Sequence, residues 1–317
     1  MAVDCVCAGI LVADHLCEPI EKLPAAGELV LSDALPLEIG GCASNVAIDL
    51  SRLGAKVGVI GCVGNDPFGR FVIETLSGAG TDTAAIRQID DVGTSGTLII
   101  NVTGEDRRFI HAIGANARFA PEDLQRPQVD AAKVLYLGGY LLMPNLEPRR
   151  LRERLRAARR AGVKTVVDVV LPGEGDHMAA LEPVLSETDV FLPNHDEAAA
   201  ITGHADPVRQ AETFLEAGAG TVVITQGTIG TLLMSNDLRL RAATYPVEFV
   251  GGTGAGDAFD AGYIAGLLEG AEPRRCLQWG SALGASCVRA IGATQSVLTR
   301  NQAEAWINEK KLEITSF

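Results

Sequence analysis

Short β-branched and apolar runs alternate along the chain with segments of helical period. Val57–Val63, Val134–Gly138, Val163–Val169, Val190–Leu192 and Thr221–Thr225 read as strands. Between them, Val46, Leu50 and Leu53 recur at helical spacing, as do Leu151, Leu155 and Ala158. This alternation predicts βαβ units, and so an α/β fold with a central, mostly parallel sheet flanked by helices on both faces. Two stretches break the rhythm. Residues from about 14 to 39 carry few helical signals, and Gly96–Val102 with Arg107–Ile113 reads as a hairpin around Thr103-Gly104-Glu105-Asp106. Strand-like insertions of this kind predict a small β-sheet projecting from the main body as a lid, over about 14–39 and 96–114. No repeat or low-complexity linker interrupts residues 1–317, which predicts a single domain carrying that insertion.

Composition narrows the class. The 317 residues are long enough to bury a full core without disulfide or metal staples. No apolar run approaches the ~18 residues of a membrane span. Met1 to Ile10 lacks the basic and apolar regions of a secretory signal, so a cytoplasmic protein without membrane partners is expected. The net charge of −13 opposes nucleic acid as a partner. Seven cysteines with no C-x-x-C pair predict reduced, buried thiols. The five histidines show no metal-ligand spacing. Seven arginines between 149 and 160 could form an anion patch, but the buried stripe of Leu151, Leu155 and Ala158 favours a solvated helix face.

Glycine is the outlier: 35 residues, roughly 11% against an average near 7%. Two clusters carry candidate chemistry. Gly251-Gly252-Thr253-Gly254-Ala255-Gly256-Asp257 opens directly into a helical pattern through Ile264, Leu267 and Leu268. A glycine-rich loop entering a helix presents unpaired N–H groups and the positive end of the helix dipole, a site suited to phosphate. Asp257 in the first turn has two readings: a cap that favours the dipole, or a base that takes a proton from an attacking hydroxyl. The loop is neither a G-x-x-x-x-G-K-[ST] phosphate loop nor a dinucleotide G-x-G-x-x-G. The second cluster, Gly40-Gly41-Cys42-Ala43-Ser44-Asn45, also leads into a helix. It is either turn chemistry or a close backbone approach to a polar ligand, with Asn45 as donor and acceptor. Asp14, Gly114-Ala115-Asn116, Asn194-His195-Asp196-Glu197 and Thr225-Gln226-Gly227 follow predicted strands, where open α/β sheets bind ligands.

With these motifs in this order, the chain resembles the ribokinase-like (PfkB) carbohydrate kinases from Asp14 to Gly292-Ala293. The resemblance implies transfer of the γ-phosphoryl of ATP to a hydroxymethyl group of a small sugar. It implies that Asp257 is the base and that the N–H groups of Gly254, Ala255 and Gly256 form an anion hole. Asp14, Gly40, Gly41 and Asn45 match positions that hold substrate hydroxyls. Asn194 and Glu197 match an N-x-x-E motif that organises Mg²⁺ and phosphates, with Glu197 acting largely through water. Thr225 and Gly227 match a nucleotide-side loop, and Ala282, Ala285 and Ser286 an adenine-facing helix. The lid of this family often pairs between subunits, which implies a homodimer.

Two departures qualify the match. Gly251-Gly252 stands where the family usually writes Asp-Thr, and in many relatives that Asp belongs to a monovalent-cation site, so potassium activation is in question. Cys42 replaces the lysine typical of ribokinases proper, which weakens D-ribose as the substrate. Three other readings stand beside a sugar kinase. A nucleoside kinase of the same fold would show an aromatic stack near the lid, where the sequence offers Phe109 and Phe119. A non-catalytic sugar- or nucleotide-binding sensor would not need both Asp257 and Glu197. A scaffold whose glycine loops serve only turns would bind no nucleotide.

Overall fold

The computed structural model describes residues 3–105 and 107–317. Asp106 of the expected hairpin turn, and Met1 and Ala2 of the leader reading, lie outside the described residues. A ten-stranded sheet forms the body. From one edge its strands run Asp82–Ile89, Val57–Gly64, Cys5–Gly9, Val134–Gly138, Lys164–Val167, Val190–Phe191 and Thr221–Thr225. These seven are parallel to their neighbours. Cys5–Gly9, Val57–Gly64 and Val134–Gly138 are buried at every position, which is why they read as unbroken apolar runs.

Beyond Thr221–Thr225 the sheet continues as Thr231–Ser235, Arg239–Ala242 and Ile314–Ser316, all antiparallel. The charged, half-exposed Arg239–Ala242 strand gives no apolar run and is silent in the sequence pattern.

The chain enters the sheet at its middle. Cys5–Gly9 lies between Val57–Gly64 and Val134–Gly138, so the strand order reverses beside it. In open α/β sheets the crevice at such a reversal, outside the carboxyl ends of the strands, is where ligands bind.

A second sheet of four strands has the order Leu37–Gly40, Val12–Ile20, Gly96–Val102, Arg108–Ala112. Both stretches that break the α/β rhythm therefore meet in it. Val12–Ile20 pairs antiparallel with Leu37–Gly40 and parallel with Gly96–Val102, which closes the hairpin with Arg108–Ala112.

Two helices carry most of the site. Cys42–Arg52 starts from Gly41, and Ala255–Leu268 starts from Gly254. Ala255–Leu268 packs closely on Pro273–Cys287: a side chain at Gly262 would strike the Trp279 carbonyl. The arginine-rich segment forms the helix Pro148–Arg160, with Leu151, Leu155 and Ala158 buried. Arg156 and Arg159 pair with Glu187, Arg159 also with Asp189, and Arg150 with Glu122. These side chains are spent on neighbouring carboxylates, as a solvated helix face requires. All seven cysteines are free thiols. Among the described residues, no helix is long and apolar enough to cross a membrane.

Candidate active site

Asp257 sits one turn into the Ala255–Leu268 helix, whose start has no side-chain cap. Its carboxylate is turned elsewhere: Oδ2 accepts from Asn45 Nδ2 at 2.8 Å. Asp257 still lies in the first turn, where its charge favours the dipole, but its carboxylate accepts from Asn45 and not from the helix start. Burial pushes the Asp257 carboxyl above the ordinary range, while hydrogen bonds from Asn45 and Cys42 oppose that shift. A buried carboxylate with one lone-pair direction fixed by an amide is equipped to accept a proton.

The loop before Asp257 owes its shape to glycine. Gly254 has φ +76°, a left-handed conformation, and a Cβ there would lie 2.5 Å from that of Ala293. Nothing stands within 4 Å of where a Gly256 Cβ would be. The helix start thus opens onto a cavity of about 430 Å³, whose wall includes Ala255, Gly256, Thr225, Gly227, Tyr245 and Phe249. The Ala255 N–H is directed at the Gly252 carbonyl, 3.3 Å away.

Beside Ala255 on the cavity wall, the Pro273–Cys287 helix and its end supply Ser281, Gly284, Ala285 and Val288. Ala285 therefore lines the cavity. Ala282 and Ser286 are not on this wall: both are fully buried, and the Ser286 hydroxyl donates to the Leu283 carbonyl. The phase of the helix decides this, because 281, 284, 285 and 288 share one face while 282 and 286 turn toward the core.

Asn194 and Glu197 form a reciprocal capping box at the start of the His195–Thr202 helix. Glu197 N–H donates to Asn194 Oδ1, and Asn194 N–H donates to Glu197 Oε2, both at 2.9 Å. Asn194 also bridges to Thr225, which ties this helix start to the cavity wall. Burial raises the Glu197 carboxyl to about 7, with the Asp257 charge adding to the shift.

The second glycine cluster meets Asp257 through Asn45. Asp14, on Val12–Ile20, is in register with Glu38 and Thr97. Its buried carboxyl is pushed up to about 6, mainly by burial; a Thr97 hydrogen bond opposes the shift, and the charges of Asp257 and Glu38 add to it. Gly40 is small because that carboxylate fills the space a Cβ would take. Gly41, at φ +89°, would bring a Cβ to 2.5 Å from the Ile10 carbonyl. The close approach that these glycines permit is therefore to Asp14 and Ile10. Asn45, nearly fully buried, joins this group to Asp257, and its Oδ1 has no hydrogen-bond partner among the described residues.

Asp168 has no role in the sequence reading, and Arg107 enters it only as part of the hairpin. Cys42, Asp168 and Asp257 each bring one side-chain ligand atom within 4.8 Å of the others. Asp168 follows the Lys164–Val167 strand, and its Oδ2 accepts from the Gly139 N–H at 3.3 Å. Burial drives the Asp168 carboxyl well above its usual range, and the charges of Glu197 and Asp257 add to the rise. A strand read through Val169 hides this residue, although a carboxylate at the carboxyl end of a parallel strand is itself a signal. Arg107, from the hairpin segment, donates to the Thr253 hydroxyl.

Of this cluster the Asp168 and Asp257 carboxylates offer the hard oxygen donors that Mg²⁺ prefers, as does Glu197, whereas the Cys42 thiol is a soft donor that does not serve it. The residues present therefore fit that ion.

The pfkB family carbohydrate kinase model matches residues 3–300. The chain belongs to that family. This kinase is 34% identical over 249 residues to the ribokinase of Mus musculus, covering 75% of this chain and 74% of that protein. It is 27% identical to the ribokinase of Haemophilus influenzae, covering 93% and 95% of the two chains. It is also 26% identical to a 5-dehydro-2-deoxygluconokinase of Clostridium perfringens, covering 87% and 85%. Among solved structures, Arabidopsis thaliana ribokinase complexed with ribose and ATP superposes with TM-score 0.83 at 23% identity, covering 96% of this kinase and 98% of that chain. A putative ribokinase II from E. coli, in complex with ATP and Mg²⁺, gives TM-score 0.83 at 24% identity, covering 97% and 100%. The kinase is a ribokinase-family sugar kinase with the ribokinase fold.

Proposed function

We propose that this kinase transfers the γ-phosphoryl of ATP to a hydroxymethyl group of a small sugar. One observation carries the reading: Asp257 faces the Asn45 side through its carboxylate, while the backbone just before it opens onto the cavity. A sugar on the Asp14–Asn45 side and a nucleotide in the cavity would meet at that residue.

In this reading Asp14 and Asn45 hold sugar hydroxyls, and Gly40 and Gly41 set the backbone on which Asp14 rests. The adenosine lies in the cavity against Thr225, Gly227 and Ala285. Asp257 orients the attacking hydroxyl and accepts its proton, and the N–H groups of Gly254, Ala255 and Gly256 meet the charge that develops on the phosphoryl oxygens. The Ala255 N–H must leave the Gly252 carbonyl to do so. Magnesium, when bound, supplies positive charge to the phosphates, and Glu197 would hold it through water, with Asn194 orienting the carboxylate. No monovalent cation enters the reading, because Gly251 and Gly252 offer no side-chain ligand.

The four-stranded sheet is proposed as the lid over the sugar, within one domain spanning the chain. Its outer strand exposes Phe109 and Ile110, which supports pairing of two copies through this face. Phe119 is fully buried, and the Phe109 ring has the Arg107 guanidinium over it, 5.5 Å from its centroid, which favours a sugar over a nucleoside. A coupled ADP-release screen with Mg-ATP, over ribose, ketohexoses, keto-deoxy acids and nucleosides, tests the reading. Turnover with a sugar supports it, and a response confined to nucleosides overturns the substrate class.

A further inference from the structure

The Cys42–Arg52 helix is buried over most of its length, yet it carries Asn45, Asp49 and Arg52 at steps of four and three, on one face. Asn45 reaches Asp257. One turn further, the Asp49 side chain is fully buried, and neither of its carboxylate oxygens has a hydrogen-bond partner among the described residues. Its ion partner is Arg52, with Nη1 3.5 Å from Oδ1. A carboxylate buried on these terms is costly, and Arg52 is the cation that offsets the cost.

Arg52 donates to the Thr294 carbonyl and, at 3.2 Å, to the Val297 carbonyl. Those carbonyls belong to the segment that backs the glycine loop. Ala293 in that segment packs against Gly254, so closely that a Cβ would overlap it. Cys287 Sγ donates to the Ala293 carbonyl at 3.0 Å and to the Thr253 carbonyl at 3.3 Å. Contacts therefore run without a gap from Asp49 through Arg52, Thr294 and Ala293 to Gly254.

We propose that Asp49 and Arg52 are positioning residues for phosphoryl transfer: Asp49 fixes the guanidinium, the guanidinium clamps the Thr294 and Val297 carbonyls, and the clamped segment sets the backbone of Gly254. One helix thus indexes both halves of the site, the base through Asn45 and the anion hole through Arg52. The inference rests on the kinase reading above. Misplacing the anion hole impairs the transition state more than the binding of sugar, which touches other residues.

Steady-state kinetics on Arg52→Met, Asp49→Asn and Arg52→Lys test it, with Arg300→Met as control. Arg300 lines the same surface hollow as Arg52, but it donates to the Leu53 carbonyl and pairs with Glu269. Arg52→Met and Asp49→Asn are each expected to lose roughly tenfold or more in kcat while the sugar KM moves less than about threefold. Ethylguanidinium added at a non-denaturing concentration is expected to restore part of the loss. Arg300→Met is expected to lower Tm and keep kcat. Arg52→Lys keeps the charge without the planar fork and is expected to fall between wild type and Arg52→Met, which covers the case in which Arg52→Met does not fold. A wild-type kcat in Arg52→Lys or Arg52→Met, or an equal kcat loss in Arg300→Met, overturns the proposal. Absence of ADP release by the wild type overturns the kinase reading itself, and is seen before any variant is compared.

Discussion

The amide of Asn45 donates to the carboxylate of Asp257 across 2.8 Å, although 212 positions separate the two residues. The bond ties the glycine-started helix near the second sheet to the glycine-started helix at the cavity. It also fixes the charge next to the proposed base. Asn45→Asp replaces a donor with a second carboxylate, and like charges disfavour ionisation. The acid limb of the kcat profile should move to higher pH by about one unit or more in this variant. An unmoved limb would separate Asn45 from the base.

Gly254→Val places a β-branched side chain at φ +76° and against Ala293. The loop must shift, and the phosphate approach closes with it. Calorimetry should show ATP binding lost or weakened by roughly tenfold or more, and Tm lowered, since strain of this kind costs on the order of 1–3 kcal/mol. Sugar binding, measured separately, should persist. Wild-type ATP affinity in this variant would remove the loop from the phosphate site.

Gly40→Ala acts on the sugar side. Its methyl group competes for the space of the Asp14 carboxylate. The sugar KM should rise by roughly tenfold, as for a lost charged hydrogen bond, while ATP binding stays near wild type. Equal loss of both ligands would mean that the two subsites are not separate.

Asp14 gives a pH signature. Its carboxyl is raised to about 6 from an ordinary 3.8, chiefly by burial. Only the charged form accepts hydroxyl hydrogen bonds at both oxygens, so sugar affinity should improve as pH rises through about 6. Stability runs the other way. The folded state holds this proton more tightly than the unfolded state, so the contribution is complete below 3.8 and is lost as pH rises through about 6. Asp14→Asn should flatten both trends, read by KM and by thermal melts across that range.

Much of this was legible in the chain because the sheet is parallel. Strands such as Val57–Gly64 and Val134–Gly138 are buried on both faces, so burial alone writes them as apolar runs. The glycines at 40, 41 and 254 were legible as needs of the backbone, but not what they make room for: Asp14, Ile10 and Ala293 come from distant parts of the chain. The antiparallel edge strand Arg239–Ala242 alternates burial over only four residues, too short for a periodic signal. Ala282 and Ser286 lie on the core side of their helix and not on the cavity wall, a difference of one residue of phase that the sequence does not show. Asp168 was hidden by a strand read through Val169 rather than ended at Val167, and the Asp49–Arg52 pair was invisible because its meaning lies in which residues meet it in space.

The central claim is that Asp257 takes the proton of the attacking hydroxyl. Coupled ADP release from Mg-ATP, measured side by side for wild type and Asp257→Asn with the best sugar of the screen, tests it most directly. The variant keeps the shape of the side chain and should keep the melting transition of a folded protein, while kcat falls by ~10²-fold or more. Near-normal turnover in a folded Asp257→Asn protein would contradict the account.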